Sequence, residues 1–278
     1  MLIFKNRNRA KIDTGIDYLG YVGSSSKIKK NSKVLNIDTF VLYLAPYKSS
    51  GYNVCHGATK ECIAGCLNTS GRVIMEINSD NENRILNARI KKTKLFHENR
   101  EFFMDWLVAE IEAAKNLSHK KGNEFAVRLN GTSDINWNRI YMNGKTIFEI
   151  FSDIQFYDYT KLPQRFNNIP ANYHLTLSFT GYNWLDCVKV LEQNYNVAVI
   201  FNVQSFYNSK VKNKLPDMFK GYKVINGDIT DYRPFDGKGV IVGLHWKQIA
   251  NKAIDKEIRQ SKFVAKVEDK KTCIFFGK

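Results

Sequence analysis

A chain of 278 residues, 44 % of them hydrophobic, is long enough for one large core and excludes global disorder. Its longest apolar runs, such as Phe40 to Leu44 and Val197 to Phe201, fall far short of the roughly 20 residues that a membrane-spanning helix needs. Lys and Arg total 42 against 27 Asp and Glu, and the resulting charge of +15 favours encounters with polyanions such as DNA or RNA, although the basic residues form no single stripe.

Residues 1–36 are basic and contain Gly23-Ser24-Ser25-Ser26-Lys27. They read as a lead-in with one short strand or hairpin, ahead of a single domain over 37–278. Thr39 to Leu44 is β-branched and apolar and stops at Ala45-Pro46, the pattern of a buried strand. A long loop follows over 47–72, and loops of that length inside a compact domain usually carry function. Helical periodicity runs from Asn81 to Leu117, with Ser79 or Asp80 as a cap and a break near His97 to Arg100. Strands are expected at Glu124 to Asn130, Ile154 to Tyr159, His174 to Thr180, Val197 to Val203, Tyr222 to Asn226 and Val240 to Leu244. Helices are expected at Trp184 to Gln193, near Lys210 to Phe219, and at Gln248 to Arg259. About seven strands alternating with helices predict an α/β fold with mostly parallel strands. A partial or closed β/α barrel of TIM-like form is the first reading. A doubly wound sheet is the second, and no glycine-rich Rossmann turn supports it.

In β/α barrels the chemistry sits at the C-terminal ends of the strands. Arg128, Asn130, Gly131, Thr132, Ser133 and Asp134 follow one predicted strand. Asp158 and Tyr159 end the next, and Ser178, Asn202, Asp228 and His245 end later ones. Taken singly, each suits a turn or a helix cap. Together they point to a ligand pocket.

Five cysteines, an odd number in a chain of this size, do not describe a disulfide scaffold. Cys187 and Cys273 stand alone and read as small hydrophobes. Cys55, Cys62 and Cys66 form a C-x6-C-x3-C run in the long loop. Cys62 and Cys66 are four residues apart and share a face on a helical turn. Structural zinc usually takes four protein ligands, and no fourth cysteine lies near, although His174 or His245 could serve. Three thiolates around a [4Fe–4S] cluster leave one iron open to a substrate or cofactor. An iron–sulfur site is favoured, with zinc as the alternative metal and no metal as the third reading.

Leu42 to Pro46, Ser50 to Cys55, Ala58-Thr59, Cys62, Cys66-Leu67-Asn68 and Ser70-Gly71-Arg72 resemble the phage gene-product-eighty-eight family. Arg128 to Asp134, Tyr157 to Lys161, Ser178 and Ile241 to Leu244 extend the likeness over nearly the whole chain from about residue 35. The resemblance implies a phage protein and leaves its activity open. A weaker resemblance is to radical S-adenosylmethionine enzymes, in which a three-cysteine loop follows the first strand of a partial barrel. It implies that Cys55, Cys62 and Cys66 hold the cluster and that Asn130, Gly131, Thr132, Ser178 and Asn202 contact S-adenosylmethionine. It also implies that Arg128, Asp134, Asp158 and Tyr159 face the substrate, and that an electron donor is a partner. Most such enzymes use C-x3-C-x2-C, from which this chain departs. The substrate expected is a nucleic acid, a nucleotide or a small metabolite. The N-terminal Met1-Leu2-Ile3-Phe4-Lys5 has no apolar stretch of signal-peptide length, so the expected compartment is the cytoplasm, that of the host if phage-encoded. Two other readings compete. One is a nucleic-acid-binding protein with a structural metal, and the other is a metal-dependent nuclease built on Asp134, Asp158 and Asp228.

Overall fold

The computed structural model describes residues 6–66, 83–204, 214–249 and 251–267. Leu67 to Arg72, Ser79, Asp80, Lys210 and Cys273, all invoked above, lie outside the described residues.

Helix α1 (Arg7–Thr14) starts where the Asn6 side chain accepts the Arg9 N–H and ends at Gly15 in the left-handed region. Strand β1 (Gly20–Val22) and helix α2 (Ser26–Leu35) follow. Ser25 caps α2, and Asn36 at φ 56° turns the chain into strand β2 (Ile37–Leu42). The described part of the N-terminal segment carries the short strand expected there and adds two helices. Glu110 accepts the N–H groups of Leu19 and Gly20, and the buried Lys92 ammonium donates to the Leu19 carbonyl at 2.9 Å.

Short helix α3 (Lys60–Ala64) lies in the cysteine loop. Helices α4 (Arg84–Glu98) and α5 (Arg100–Lys120) are capped by Asn83 and Asn99, and their junction falls at the break the sequence suggests. Strand β3 (Glu124–Arg128) is followed by the small hairpin β4 (Tyr141–Met142) and β5 (Lys145–Thr146). Helix α6 (Ile147–Ile150) opens on a capping box between Thr146 and Glu149. Then come β6 (Gln155–Thr160), β7 (Tyr173–Ser178), α7 (Trp184–Glu192), β8 (Asn196–Gln204), β9 (Met218–Phe219), β10 (Tyr222–Asn226), β11 (Ile241–Trp246) and α8 (Lys252–Gln260). Met218 and Phe219, expected at the end of a helix, pair antiparallel with β10 instead.

The main sheet has nine strands in the order β1-β2-β3-β6-β7-β8-β11-β10-β9. Strands β2, β3, β6, β7, β8, β11 and β10 are mutually parallel, and antiparallel β1 and β9 flank them. From β2 to β8 the parallel strands lie side by side in chain order. That is a singly wound arrangement, unlike a doubly wound sheet, whose order reverses about its first strand. The pairing runs from one edge to the other and shows no closure into a barrel among the described residues.

Side chains alternate across the strands. Phe40, Leu42, Phe125, Val127, Phe156, Leu175, Leu177, Val197, Val199 and Phe201 face a large apolar core shared with Phe103, Trp106 and Leu107 of α5 and Val190 and Leu191 of α7. Cys187 is sealed in this core as a small hydrophobe, and burial pushes its thiol up to about 12. The second face is different. It carries Thr39, Val41, Ala126, Arg128, Tyr157, Tyr159 and Thr176, and α2 with the segment 227–236 packs there. The buried Asn31 of α2 ties the two together, donating to Thr39 and Tyr157 and accepting the N–H groups of Asp231 and Tyr232.

Candidate functional site

All the parallel strands end at one edge, and residues 47–66 cross that edge as a strap. At its start the Tyr47 N–H points at Cys55 Sγ, 3.4 Å away, and the Cys55 thiol in turn points at the Thr132 carbonyl at 3.7 Å. The Asp134 N–H donates to the Val54 carbonyl at 2.7 Å, so the loop after β3 is stitched to the strap. A Cβ on Gly57 would lie 2.9 Å from Lys161, just beyond β6. The Tyr182 hydroxyl, beyond β7, lies 3.5 Å from Glu61. A Cβ on Gly65 would lie 3.2 Å from Ile258 and 3.3 Å from Trp246, which places the end of the strap against α8 and β11.

Local chemistry builds the turn that carries the thiols. Thr59 accepts the Cys62 N–H and starts α3, and Asn53 accepts the Cys55 N–H. Cys55, Cys62 and Cys66 are each partly buried, and charge on Cys62 or Cys66 is felt at Cys55. Burial pushes the Cys55 thiol up to about 11, against the Tyr47 N–H, which lowers it. Lys161 is a cation of this group, and Arg89 is another, beside Cys66. Burial would lower the Lys161 ammonium, but Cys62, Asp134 and Cys55 outweigh that and hold it above the usual lysine range. Among the described residues, no three His, Cys, Asp or Glu side chains are grouped so as to hold a metal ion.

The residues singled out at the strand ends divide into two sets. Asn130, Asp134 and Asp158 make a buried scaffold. Asn130 Oδ1 accepts from Ser133, the Ile135 N–H and Trp137, and its amide donates to Ile135 O and Asp158. Asp158 also accepts the Asn130 N–H at 2.8 Å and the Tyr173 hydroxyl at 3.0 Å, and burial raises its carboxyl to about 6. Asp134 accepts the Lys161 N–H and pairs with the buried Arg165 at 2.5 Å. Thr132 donates to Leu44 O, and a Cβ on Gly131 would strike Tyr43 and the Leu42 carbonyl. Asn202 accepts from Arg259 at 2.8 Å, and Ser178 is partly exposed at the end of β7.

Arg128 and Tyr159 lie on the second face, where Arg128 Nε still reaches to 4.0 Å of Asp158 in that scaffold. Arg128 donates to Asp231 at 3.0 Å, and its guanidinium sits 5.0 Å above the Tyr159 ring. Burial works against its charge, but Asp231 and Tyr159 more than offset this and raise it further. Lys27 bridges Asp228 at 3.4 Å and Asp231 at 3.9 Å, while burial lowers its ammonium. Asp228 also accepts from His245, whose N–H and ring nitrogen Nδ1 both lie at 2.9 Å. Asp158 stands near Asp134 through Arg165, whereas Asp228 belongs to the second-face cluster, so the three carboxylates of the nuclease reading fall into two groups. Lys27, Lys161, Asp231 and Arg233 were not singled out from the sequence. Lys161 lies two residues beyond the predicted strand end at Tyr159, a usable signal. The segment 227–236 has no periodicity to mark it.

The described helices include none long and apolar enough to cross a membrane. A family model described as gene product 88 matches residues 2–266. No curated protein and no solved structure matches the chain.

Proposed function

The chain belongs to the gene product 88 family, and we propose that it is an iron–sulfur enzyme of radical S-adenosylmethionine type, with Cys55, Cys62 and Cys66 as cluster ligands. One observation carries the reading: a strap bearing three cysteines follows the first parallel strand and crosses the C-terminal edge of a singly wound sheet. The donor set fits. Three thiols are the ligands that a [4Fe–4S] cluster takes when one iron is kept open, and a partly buried cation at Lys161 offsets their negative charge. When bound, such a cluster supplies single electrons for cleaving a carbon–sulfur bond of S-adenosylmethionine.

The chain's own residues do the positioning. The Val54 carbonyl and the Cys55 thiol tie the strap to the β3 loop, Thr132 ties that loop to Leu44, and Asn130 with Asp158 fixes it from beneath. Gly131 lets the loop backbone approach Leu42, Ser178 presents a hydroxyl at the next strand end, and Asn202 holds Arg259. These are the groups that would orient S-adenosylmethionine. Arg128 and Tyr159 would face a nucleic acid, nucleotide or small metabolite, while Asp134 and Asp158 hold the surrounding charges in place.

The net charge of +15 favours a second reading, a nucleic-acid-binding protein in which the same cysteines hold a structural zinc. Anaerobic incubation of the reduced protein with S-adenosylmethionine separates the two. Release of methionine and 5′-deoxyadenosine, lost in Cys62→Ala, is expected. Binding without cleavage in an iron-loaded protein would overturn the enzyme reading.

A further inference from the structure

We propose that single-stranded nucleic acid lies along a basic surface formed by α8 and residues 261–266, with a base stacked on Tyr182 at the rim of the cysteine strap. This deepens the reading above by naming the substrate class, and it rests on that reading only for the chemistry that follows binding.

The fold gathers basic residues here that look scattered in the sequence. Helix α8 carries Lys252, Lys256 and Arg259 at i, i+4 and i+7, one stripe of a helix. Ile254 and Ile258 take the opposite side and pack with Trp246, Phe263 and Val264, and Cys62 and Ala64 of the strap join that cluster. Lys252, Lys256, Lys262 and Lys266 are exposed. Of the two carboxylates in the same stretch, Glu257 is exposed, but Asp255 is 5 % exposed and accepts from the Trp246 indole and the Ile249 N–H. Four exposed ammoniums thus stand against one exposed carboxylate, a surface that suits a polyanion. A lipid surface fits less well, because the strap already covers the apolar side of α8 that would enter it.

Tyr182 supplies what positive charge alone lacks. It is 64 % exposed, and the Lys262 ammonium lies 5.7 Å from its ring centroid. Its hydroxyl lies 3.5 Å from Glu61, the residue before Cys62. The turn that carries it is fixed on both sides. Asn183 accepts the Thr180 N–H at 2.8 Å, and Gly181, at φ 92°, packs so closely on Lys262 that a Cβ would come within 2.5 Å of its backbone. An exposed ring held beside a lysine can stack a base while the cation meets the adjoining phosphate. A duplex keeps its base faces stacked on one another, so such a platform selects a single strand.

Fluorescence anisotropy of a labelled oligothymidylate of about twenty nucleotides, titrated with the full chain, tests this. Saturable binding is expected, with log affinity falling against log salt at a slope of about −3, as four lysine–phosphate contacts on a single strand require. Tyr182→Ala should weaken binding about tenfold and Tyr182→Phe should keep it, because the ring does the stacking. Lys256→Gln should reduce the slope by about 0.7. Tyr182 and Lys256 are both exposed, so neither change should alter urea unfolding. A duplex of the same length should bind more weakly, and phosphatidylserine vesicles should not displace the oligonucleotide. No saturable binding, tighter binding of the duplex, displacement by the vesicles, or Tyr182→Ala without effect would overturn the proposal. A chain that binds the strand but takes up no iron keeps this inference and loses the radical reading, and an iron-loaded chain that does not bind the strand does the reverse.

Discussion

The Asp134 N–H meets the Val54 carbonyl at 2.7 Å, joining the residue next to Cys55 to the loop beyond β3, while the Asp134 carboxylate pairs with Arg165. One residue thus holds the cysteine strap by its backbone and a buried guanidinium by its side chain. Asp134→Asn keeps the first bond and removes the carboxylate paired with Arg165, whose side chain is 2 % exposed and is left with the Tyr173 hydroxyl at 2.6 Å. Breaking a buried pair from one side costs about 3–5 kcal/mol. Urea unfolding should show a loss of that order, and a loss under about 1 kcal/mol would mean that the pair does not hold the fold.

Gly131→Ala probes the same junction by shape. Its Cβ would lie 2.7 Å from the Tyr43 ring and 2.8 Å from the Leu42 carbonyl, to which the Gly131 N–H bonds at 3.0 Å. Backbone cannot give way as a flexible side chain can, so a destabilisation of about 1–3 kcal/mol is expected. Unchanged stability would show that the close approach is not needed.

His174 sets an acid-sensitive term. Burial, with Arg233 behind it, lowers its pKa from 6.5 to about 4. The unfolded chain then binds a proton that the folded one refuses, so this stability is present above about pH 6.5 and lost as pH falls toward about 4. Its size is up to about 3 kcal/mol. Asp158 opposes it, because its carboxyl is raised by burial to about 6 and its contribution is lost as pH rises through that value. His174→Gln should therefore make the protein more resistant to acid between pH 6.5 and 4, leaving the opposite slope of Asp158. A pH–stability curve identical to the wild type would refute the assignment.

Metal uptake should release protons. With its thiol pushed up to about 11, Cys55 is protonated near neutrality, and a metal must displace that proton. Cobalt(II) affinity, read by chelator competition, should rise about tenfold per pH unit from Cys55 alone. Affinity that stays flat between pH 6.5 and 7.5 would exclude Cys55 as a ligand.

The seven parallel strands were legible because each is a short apolar run with a clear stop, as at Ala45-Pro46 after β2. The position of the cysteine strap followed from them. Arg128, Tyr159, Asp228 and His245 drew notice singly, but their gathering on the second face was not legible, since Asn31 and Asp231 meet across 200 residues and no local pattern announces such a bond. The two helices of the N-terminal layer were not legible for a related reason. The helix α1 is mostly polar, and it is long-range contacts such as Glu110 to Leu19 and Lys92 to Leu19 that fix this layer. Asn130 and Asp158 drew notice as polar residues at strand ends, but only tertiary structure shows their hydrogen bonds turned inward on each other.

The most direct measurement is metal and sulfide analysis of anaerobically purified protein, with an absorbance spectrum, for the wild type and for Cys55→Ala, Cys62→Ala and Cys66→Ala. A brown wild type with about four irons and four sulfides per chain, and colourless variants that remain folded, is the expected result. A colourless wild type with about one zinc, or variants that keep the full iron content, would contradict the assignment of the three cysteines to an iron–sulfur cluster.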